Sequence, residues 1–382
     1  MNRGKQGAPA RLFIVFVFIL LVTALVVAGC GGGSGGDPAV DDNGGTADPG
    51  QDPVVEEPPG PPAFFPALRP GQVRHPLTGL PVDRKELAYP YSLVVIGNNP
   101  RARPQSGLPA ADLVYEVPAE GGITRFLALF RAGRADPIGP VRSSRTYILD
   151  LAREWEAVLA HVGGSPGHYE AVGRSGVKVF DDRGASGAGV FWRSGSRRAP
   201  DNLYTSTARL RQKMESLGLE APAVERQPFR FVTPDRLPAG EEALEVVIRR
   251  PGAGGEVIYR YDEEMYRYER HLGSAAHVDR ESEQPLTARS LLIQFVPVRA
   301  IPGDTEGRLD VDLVGEGRLL IATGGTVREG RWRKDQRTAP TAFLEERGGP
   351  ATLLPGQVWI LMVPVGTEVE WASGSGDESP GT

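Results

Sequence analysis

Residues 113–131 read L-V-Y-E-V-P-A-E-G-G-I-T-R-F-L-A-L-F-R, in which two apolar runs are separated by a proline and two glycines. The runs 113–117 and 123–131 have the length and the apolar composition of buried strands. A third run of this kind, 91–97, precedes them in the chain. This region is therefore predicted to form the centre of a sheet.

Helical patterns follow these predicted strands. From Ser144 onward, apolar residues recur at spacings of three and four, which is typical of a helix with one buried face. A second helix is indicated after Thr205, with Gly218 as its stop signal. Strands and helices together predict a mixed α/β N-terminal domain over residues 70–220.

The second half of the chain has a different pattern. After residue 220, short apolar runs alternate with turn residues, and no helical pattern is long enough to cross over a parallel sheet. We expect a β-rich C-terminal domain over residues 221–372, either a sandwich or a small barrel, and a disordered tail over 373–382. The fold class expected for the whole chain is α+β.

The first 29 residues have the parts of a lipoprotein signal peptide. Basic residues come first, the apolar run 12–27 follows, and V-A-G-C (27–30) places small residues before a cysteine. Cys30 is therefore expected to carry lipid and to become the mature N-terminus. The alternative is an uncleaved anchor helix with an incidental cysteine. Both interpretations place the body on the extracytoplasmic face of the membrane.

Residues 30–69 are predicted to form a disordered tether. Within 31–62 there are nine Gly, seven Pro and seven acidic residues, with no Lys or Arg, so the segment cannot build a core. Loss of the three basic residues of the leader changes the net charge from −5 to −8, which argues against nucleic acid as a partner. Because Cys30 is the only cysteine, the body has no disulfide and no thiolate metal site.

The break between the two central strands is the first candidate site. Glu120 precedes two glycines, where backbone and ligand can approach closely. Partial burial there would raise the pKa of its carboxyl group, as general acid catalysis requires. The structural alternative is that Glu120 caps a turn or pairs with Arg125.

A second candidate is the segment R-S-S-R-T-Y (142–147). Arg142 and Arg145 beside a helix N-terminus suit the binding of anions or sugar hydroxyl groups. Alternatively, Ser143 or Ser144 is a plain helix cap and the arginines form structural ion pairs. Asp150, on the predicted helix, could simply be solvated.

The segment G-G-S-P-G (163–167) matches the nucleophile elbow of hydrolases, but Pro166 lacks the N–H that the oxyanion hole needs. Ser165 as a helix cap explains the same residues. The pairs His161 with His168 and His277 with Asp279 offer two ligands each, too few for a catalytic zinc site.

A polar and aromatic cluster follows in the chain, and it has the composition either of a carbohydrate or peptide groove or of a mobile surface loop. Its members are Trp192, Arg193, Arg197, Arg198, Asn202 and Tyr204.

Six motifs in order carry a family resemblance: N-N-P-R-A-R-P-Q-S-G-L (98–108), A-D-L-V-Y-E (111–116), E-G-G-I-T-R-F (120–126), I-G-P-V-R-S-S-R (138–145), H-V-G-G-S-P (161–166) and A-P-D-N-L-Y-T (199–205). They resemble the YerB-like lipoproteins, which are named for paired domains of unknown function. The second half fits through A-H-V-D (276–279), G-R-L-D-V-D-L-V-G-E-G (307–317), E-G-R-W-R-K (329–334) and L-P-G-Q-V-W-I (354–360). The chain departs from the family pattern at Asp201, where a histidine is expected.

The resemblance implies cleavage of peptidoglycan glycan strands by a lytic transglycosylase, with one carboxyl acting first as acid and then as base and with no metal or cofactor. Glu120 is the expected catalytic carboxyl, Glu116 is the second candidate and Asp182 is the third. The residues expected to position the glycan are Arg125, Arg142, Arg145 and Asn202.

Two other interpretations stay open, a non-catalytic wall-binding or scaffolding lipoprotein and a solute-binding lipoprotein. The expected partners are peptidoglycan strands and, through the lipid on Cys30, the membrane. The sequence identifies no protein partner.

Overall fold

The computed structural model describes residues 65–250, 252 and 255–373. The predicted signal peptide, Cys30 and the tether up to residue 64 lie outside the described residues, as does the predicted tail beyond residue 373. In the described part of the chain, no helix combines the length and the apolar character needed to cross a membrane.

The described residues form many short strands and three α-helices. The strands before residue 220 are β1 (Gln72–Arg74), β2 (Pro81–Asp83), β3 (Ser92–Gly97), β4 (Leu113–Pro118), β5 (Thr124–Phe130), β6 (Val158–His161), β7 (Val179–Asp181), β8 (Trp192–Arg193) and β9 (Leu203–Tyr204). The helices are α1 (Thr146–Glu154), α2 (Pro166–Ser175) and α3 (Thr207–Ser216).

The strands after residue 220 are β10 (Arg230–Phe231), β11 (Glu241–Glu242), β12 (Glu245–Arg250), β13 (Gly255–Asp262), β14 (Arg267–Leu272), β15 (Ala275–Ala276), β16 (Thr287–Ala288), β17 (Ser290–Val296), β18 (Val298–Ala300), β19 (Leu309–Val311), β20 (Gly315–Thr323), β21 (Thr326–Lys334), β22 (Ala342–Glu345), β23 (Thr352–Leu353), β24 (Val358–Pro364) and β25 (Glu368–Ala372).

One sheet of eleven strands dominates the described structure. Its strand order is β11-β21-β20-β17-β24-β4-β5-β3-β6-β7, with β22 paired to β21. Strands β3, β4 and β5 stand in its middle, as the three apolar runs predict. They are mostly apolar because both faces of the sheet are buried there, with Glu116 and Arg125 as the charged exceptions.

The large sheet joins both halves of the sequence. β24 pairs in parallel with β4, so that Trp359 lies opposite Val114 and Ile360 opposite Tyr115. The structure therefore corrects one part of the predicted organisation, because six strands of the second half extend a sheet begun by the first half rather than closing a sandwich or barrel of their own. The described chain is strand-rich, with helices on its first half, as an α+β chain should be.

Two hydrophobic cores cover the two faces of this sheet. On one face, Leu93 and Leu127 pack with α1 residues such as Ile148 and Leu151. On the other face, residues such as Val94 pack against α3 and a second sheet of order β15-β14-β13-β12-β25, with β16 paired to β14. The central strands are thus fixed from both sides, and their ends can present polar groups in defined positions.

Candidate functional site

Four strands of the large sheet end at the same edge. β3, β6 and β7 are mutually parallel, and β3 and β4 both run antiparallel to β5, so all four point the same way. They end at Gly97, Pro118, His161 and Asp181. Ligands of open sheets that contain parallel strands commonly bind beyond such carboxyl ends. The loops that follow these residues therefore form the candidate site.

Glu120 lies at this edge, directly after β4. It opens a short turn in which Gly121 and Gly122 have φ angles of 66° and 77°, the left-handed conformation that glycine adopts without strain. Arg145 Nε donates to Glu120 Oε1 at 2.5 Å, and Arg125 Nη2 donates to Oε2 at 3.1 Å. The Glu120 side chain remains 18% exposed, so a ligand can reach it. We call Glu120, Arg125 and Arg145 the edge site.

The two arginines control the ionisation of Glu120. Burial alone would raise its pKa, but the hydrogen bond from Arg145 and the positive charges of Arg125 and Arg145 outweigh burial, so the pKa is lowered. The expectation of a raised pKa at this position is therefore wrong. The alternative that Glu120 pairs with Arg125 is confirmed, and Arg145 is a second partner that the sequence did not indicate.

The segment that carries Arg145 differs from its predicted structure. Helix α1 begins at Thr146, and Arg145 occupies the cap position without a capping side-chain hydrogen bond. Ser143 and Ser144 are therefore not helix caps. The backbone N–H of Ser144 instead donates to the carbonyl of Gly163 at 3.0 Å, which extends this segment alongside the end of β6.

Asp150 is not a solvated residue. Its side chain is buried and accepts hydrogen bonds from Arg153 and Arg337, each at 3.0 Å. Arg337 belongs to the second half of the chain. Asp150 therefore has a structural role, which removes it from the candidate site.

Glu116, the second catalytic candidate, cannot contact a ligand in this structure. It is fully buried and accepts hydrogen bonds from Arg250 Nη1 at 2.7 Å, Arg270 Nη2 at 3.0 Å and Thr124 Oγ1 at 2.7 Å. Burial would raise its pKa, but the charges of Arg250 and Arg270 prevail and lower the pKa to about 2. Glu116 is therefore a buried core residue that is ionised at neutral pH, and its assignment as a catalytic residue is corrected on that ground.

A buried polar network surrounds Glu116. Asn98 donates to Thr124 Oγ1 at 2.7 Å, Gln105 donates to Asn98 Oδ1 at 3.1 Å, and His277 Nε2 lies 2.7 Å from Gln105 Oε1. His277, considered above as a metal ligand, is thus used in this network. One sequence signal could have indicated the network, namely a charged residue in the apolar run 113–117.

The remaining predicted residues form a second group. Arg193 donates to Asp182 at 3.1 Å and to Asn202 at 3.0 Å, and Arg142 donates to Asp201 at 2.7 Å. The structure therefore brings Glu120, Arg125 and Arg145 together but places Arg142, Asp182 and Asn202 apart from them.

Asp182 is too far from Glu120 to be its catalytic partner. It follows β7, which lies four strand positions from β4 in the sheet. At about 4.8 Å per strand, this corresponds to roughly 19 Å. Glycosidases that use two carboxyl groups hold them about 5 to 9.5 Å apart. Of the three predicted carboxyl groups, Glu120 is therefore the one that could act at the edge site.

The aromatic residues of the 192–204 loop are engaged within the loop. Trp192 stacks on Tyr204, and Arg209 covers the Trp192 ring at 4.7 Å from its centroid. Arg197 Nη1 donates to the carbonyl of Arg101 at 3.0 Å, which ties the loop to the segment after β3. These contacts leave no open aromatic platform for a sugar ring on Trp192.

The segment with the elbow pattern has the predicted structural explanation. Ser165 caps α2 by accepting from the backbone N–H of His168 at 3.2 Å, with Pro166 as the first helical residue. The ring of His168 packs edge-on against His161, with centroids 4.8 Å apart. Both rings are buried, and burial lowers the pKa of each, to about 4 for His168. The cap interpretation is confirmed.

A cleft of about 230 Å³ adjoins the edge site. Gly121 and Gly122 form one of its walls, and Val298, Leu309 and Arg250 face it from the second half of the chain. Sequence reasoning could not find this cleft because its walls come from segments that are distant in the chain.

Comparisons with known proteins agree with the resemblance described above. The family described as "Protein of unknown function (DUF3048) N-terminal domain" matches residues 77–220, and its "C-terminal domain" counterpart matches residues 246–360. The chain is 33% identical over 295 residues to the Bacillus subtilis (strain 168) protein described as "Putative lipoprotein YerB", with 77% of this chain and 87% of that protein covered. The crystal structure of the Bacillus subtilis YerB protein matches with a TM-score of 0.67 at 31% identity, covering 78% of this chain and 99% of that one.

Proposed function

Because this chain belongs to the DUF3048 family of YerB-like lipoproteins, we propose that it is a lipid-anchored cell-envelope protein that binds peptidoglycan at the edge site. The lipid is proposed to lie on Cys30, with the body held on the extracytoplasmic face by the tether. Peptidoglycan is the abundant polymer within reach of a protein in that position.

The observation that carries this proposal is the geometry around Glu120. A partly exposed carboxylate stands between two guanidinium groups at the carboxyl edge of the sheet, next to an open cleft. Carboxylates and guanidinium groups bind sugar hydroxyl, amide and carboxylate groups, and all of these occur in peptidoglycan. The Arg125 and Arg145 side chains are only 10% and 11% exposed, so a ligand must reach them through the more open position of Glu120.

The test is cosedimentation of the full chain, purified in detergent, with purified peptidoglycan. The variant Arg145→Gln removes one cation from the edge site, and we expect it to weaken binding about tenfold. The matched control is Arg318→Gln, which removes an exposed arginine on β20 that pairs with Glu329 on β21. Equal sedimentation of the wild type, Arg145→Gln and Arg318→Gln would contradict the proposal. The absence of sedimentation for all three proteins would also contradict it.

A second candidate function is cleavage of the glycan strand, and one observation favours it. Among the three predicted carboxyl groups, Glu120 is the one that both stands at the edge site and remains open to a ligand. As a lytic transglycosylase, Glu120 would protonate the leaving glycosidic oxygen and then accept the proton of the sugar's own 6-hydroxyl group, whose oxygen closes onto the anomeric carbon.

This chemistry requires a proton on Glu120, and the two arginines oppose it in the unliganded structure. A substrate that draws Arg145 away from Glu120 would allow the pKa of Glu120 to rise. Cleavage therefore depends on substrate binding at the arginines, whereas binding alone does not depend on cleavage.

Mass spectrometry of fragments released from peptidoglycan separates the two candidates. If the chain cleaves, the wild type releases fragments with anhydro-sugar ends, Glu120→Gln releases none, and Asp182→Asn behaves as the wild type. Binding without fragments from any of the three proteins would leave the chain as a wall-binding lipoprotein.

A further inference from the structure

The cleft beside the edge site contains an arginine with free hydrogen-bonding capacity. The Arg250 side chain is only 5% exposed, and its Nη1 donates to Glu116. Its Nε and Nη2 atoms have no partner among the described residues. Arg250 also lines the cleft. A buried guanidinium group with two unused donors is costly unless an acceptor reaches it.

Positive charge is in excess around this arginine. Arg250 and Arg270 both act on the single carboxylate of Glu116, and both also lie close enough to Arg103 to lower its pKa, together with burial. His277, in contact with Arg270, is neutral at ordinary pH because burial lowers its pKa to about 2. Two buried cations and the half-buried Arg103 thus share one carboxylate, and buried charges are stable when they are paired. An anionic ligand would restore the balance.

The lining of the cleft limits what that anion can be. Apart from Arg250 and Thr124, the lining consists of backbone glycine and of aliphatic or proline side chains, with no aromatic ring. A sugar ring would lack both a stacking partner and enough polar groups. The volume of about 230 Å³ also lies below the range of roughly 300 to 1,000 Å³ that larger ligands fill. A small carboxylate with short apolar groups fits both limits.

Two exposed aliphatic residues stand beside lining residues of the cleft. Val365 is 68% exposed and directly follows the lining residue Pro364 in the chain. Ile301 is 41% exposed and lies next to the lining residue Leu309 in the β18–β19 hairpin. Exposed aliphatic residues around an opening favour the binding of a chain that continues outward from the cleft. A peptide satisfies this condition better than a free solute does.

We infer that the cleft binds the C-terminal carboxylate of a short peptide with small apolar side chains, and that Arg250 holds this carboxylate. Peptidoglycan carries such peptides on its glycan strands, so this inference deepens the proposed function and rests on it. The edge site would then contact the strand while the cleft takes the peptide end.

The test is calorimetric titration of the full chain in detergent with an N-acetylated lysyl-D-alanyl-D-alanine peptide. The same peptide with a C-terminal amide lacks the carboxylate, and we expect at least tenfold weaker binding. N-acetyl-D-alanine tests the other source of the same chemistry, a free small carboxylate, and we expect it to bind more weakly than the peptide. Equal affinity for the acid and the amide would overturn the inference.

A variant that leaves the buried network intact gives a second test. Leu309→Trp places a large ring in the cleft from a half-exposed strand position, and we expect it to reduce peptide affinity at least tenfold. The control Leu217→Trp adds the same ring at an exposed position after α3 and should leave affinity unchanged. Unchanged affinity in Leu309→Trp would overturn the inference.

The inference and the proposed function fail in different ways. If the peptide does not bind but peptidoglycan still sediments the chain through Arg145, the cleft is not the peptide site and the proposed function stands. If the peptide binds but peptidoglycan does not sediment the chain, the cleft is a carboxylate site and the proposed function is wrong.

Discussion

Glu116 and Glu120 show how the environment decides the role of a residue. They lie four positions apart and each meets two arginines, yet Glu116 is fully enclosed while Glu120 keeps part of its carboxylate in solvent. The sequence identified both as candidates because both stand by the strand break. It placed Glu120 first but could not show that Glu116 is enclosed, because the arginines that enclose Glu116 come from β12 and β14 in the other half of the chain.

We predict that Glu116→Gln destabilises the protein by about 3 to 5 kcal/mol, because it leaves Arg250 and Arg270 buried without their counter-ion. Urea unfolding at neutral pH measures this change. Glu120→Gln should cost less, since the Glu120 side chain is 18% exposed whereas the Glu116 side chain is fully buried. Equal losses for the two variants would mean that the buried network does not hold the fold together.

The lowered pKa of Glu116 predicts that the stability of the protein depends on pH. The pKa of Glu116 is about 2 in the folded protein, below its ordinary value of 4.5. The unfolded chain therefore takes up this proton first as the pH falls, so the stabilisation is complete above about pH 4.5 and is lost towards pH 2. Glu116→Gln should show a shallower loss of stability in that window.

A second pH dependence belongs to His168. Burial and the neighbouring His161 lower its pKa from 6.5 to about 4, so the folded state resists protonation that the unfolded state accepts. Stability should therefore fall as the pH decreases from 6.5 to 4. His168→Phe keeps an aromatic ring against His161 but cannot titrate, so unfolding measured across this window should be less pH-dependent in the variant. An unchanged slope would place the responsible group elsewhere.

At the scale of elements, apolar strands were predictable and polar ones were not. The runs 91–97, 113–117 and 123–131 correspond closely to β3, β4 and β5, because strands buried on both faces are mostly apolar. β21 escaped prediction because its sequence, T-V-R-E-G-R-W-R-K, is mostly charged. Some of that charge is nevertheless buried, as in Lys334, which donates to Glu154 at 2.7 Å.

The predictions of where helices begin also divide into correct and incorrect ones. Ser165 was identified as a cap from its local sequence alone, because Pro166 follows it at the first helical position. The start of α1 was misplaced because Ser144 forms a backbone hydrogen bond to Gly163, a tertiary contact that the local sequence does not reveal.

We predict that Ser165→Ala destabilises the protein by about 1 kcal/mol, because it removes the acceptor for the His168 backbone N–H. Chemical denaturation measures the effect. Ser143→Ala is the matched control, since the Ser143 hydroxyl makes no hydrogen bond within the part of the chain that the structure describes. A comparable loss in both variants would argue against capping as the cause.

At the scale of the whole molecule, the sequence indicated two successive bodies, and the structure joins them in one sheet. The parallel pairing of β24 with β4 connects residues from opposite halves, and both hydrophobic cores draw on both halves. Local patterns predict elements but not the pairing of strands that are distant in sequence, which is why this junction was not foreseen.

The shared sheet predicts cooperative unfolding. Calorimetry of the protein should show one thermal transition with equal calorimetric and van't Hoff enthalpies, because neither half can lose its strands without exposing the core of the other. Two separate transitions would show that the halves unfold independently despite the shared sheet.

The central claim is that peptidoglycan binds at the edge site, and hydrogen–deuterium exchange of the full chain with soluble peptidoglycan fragments tests it most directly. We predict slower exchange of the backbone amides in 119–126 and 142–146, with little change in the 192–204 loop. Slower exchange confined to the 192–204 loop, or no change anywhere at saturating fragment concentration, would contradict the claim.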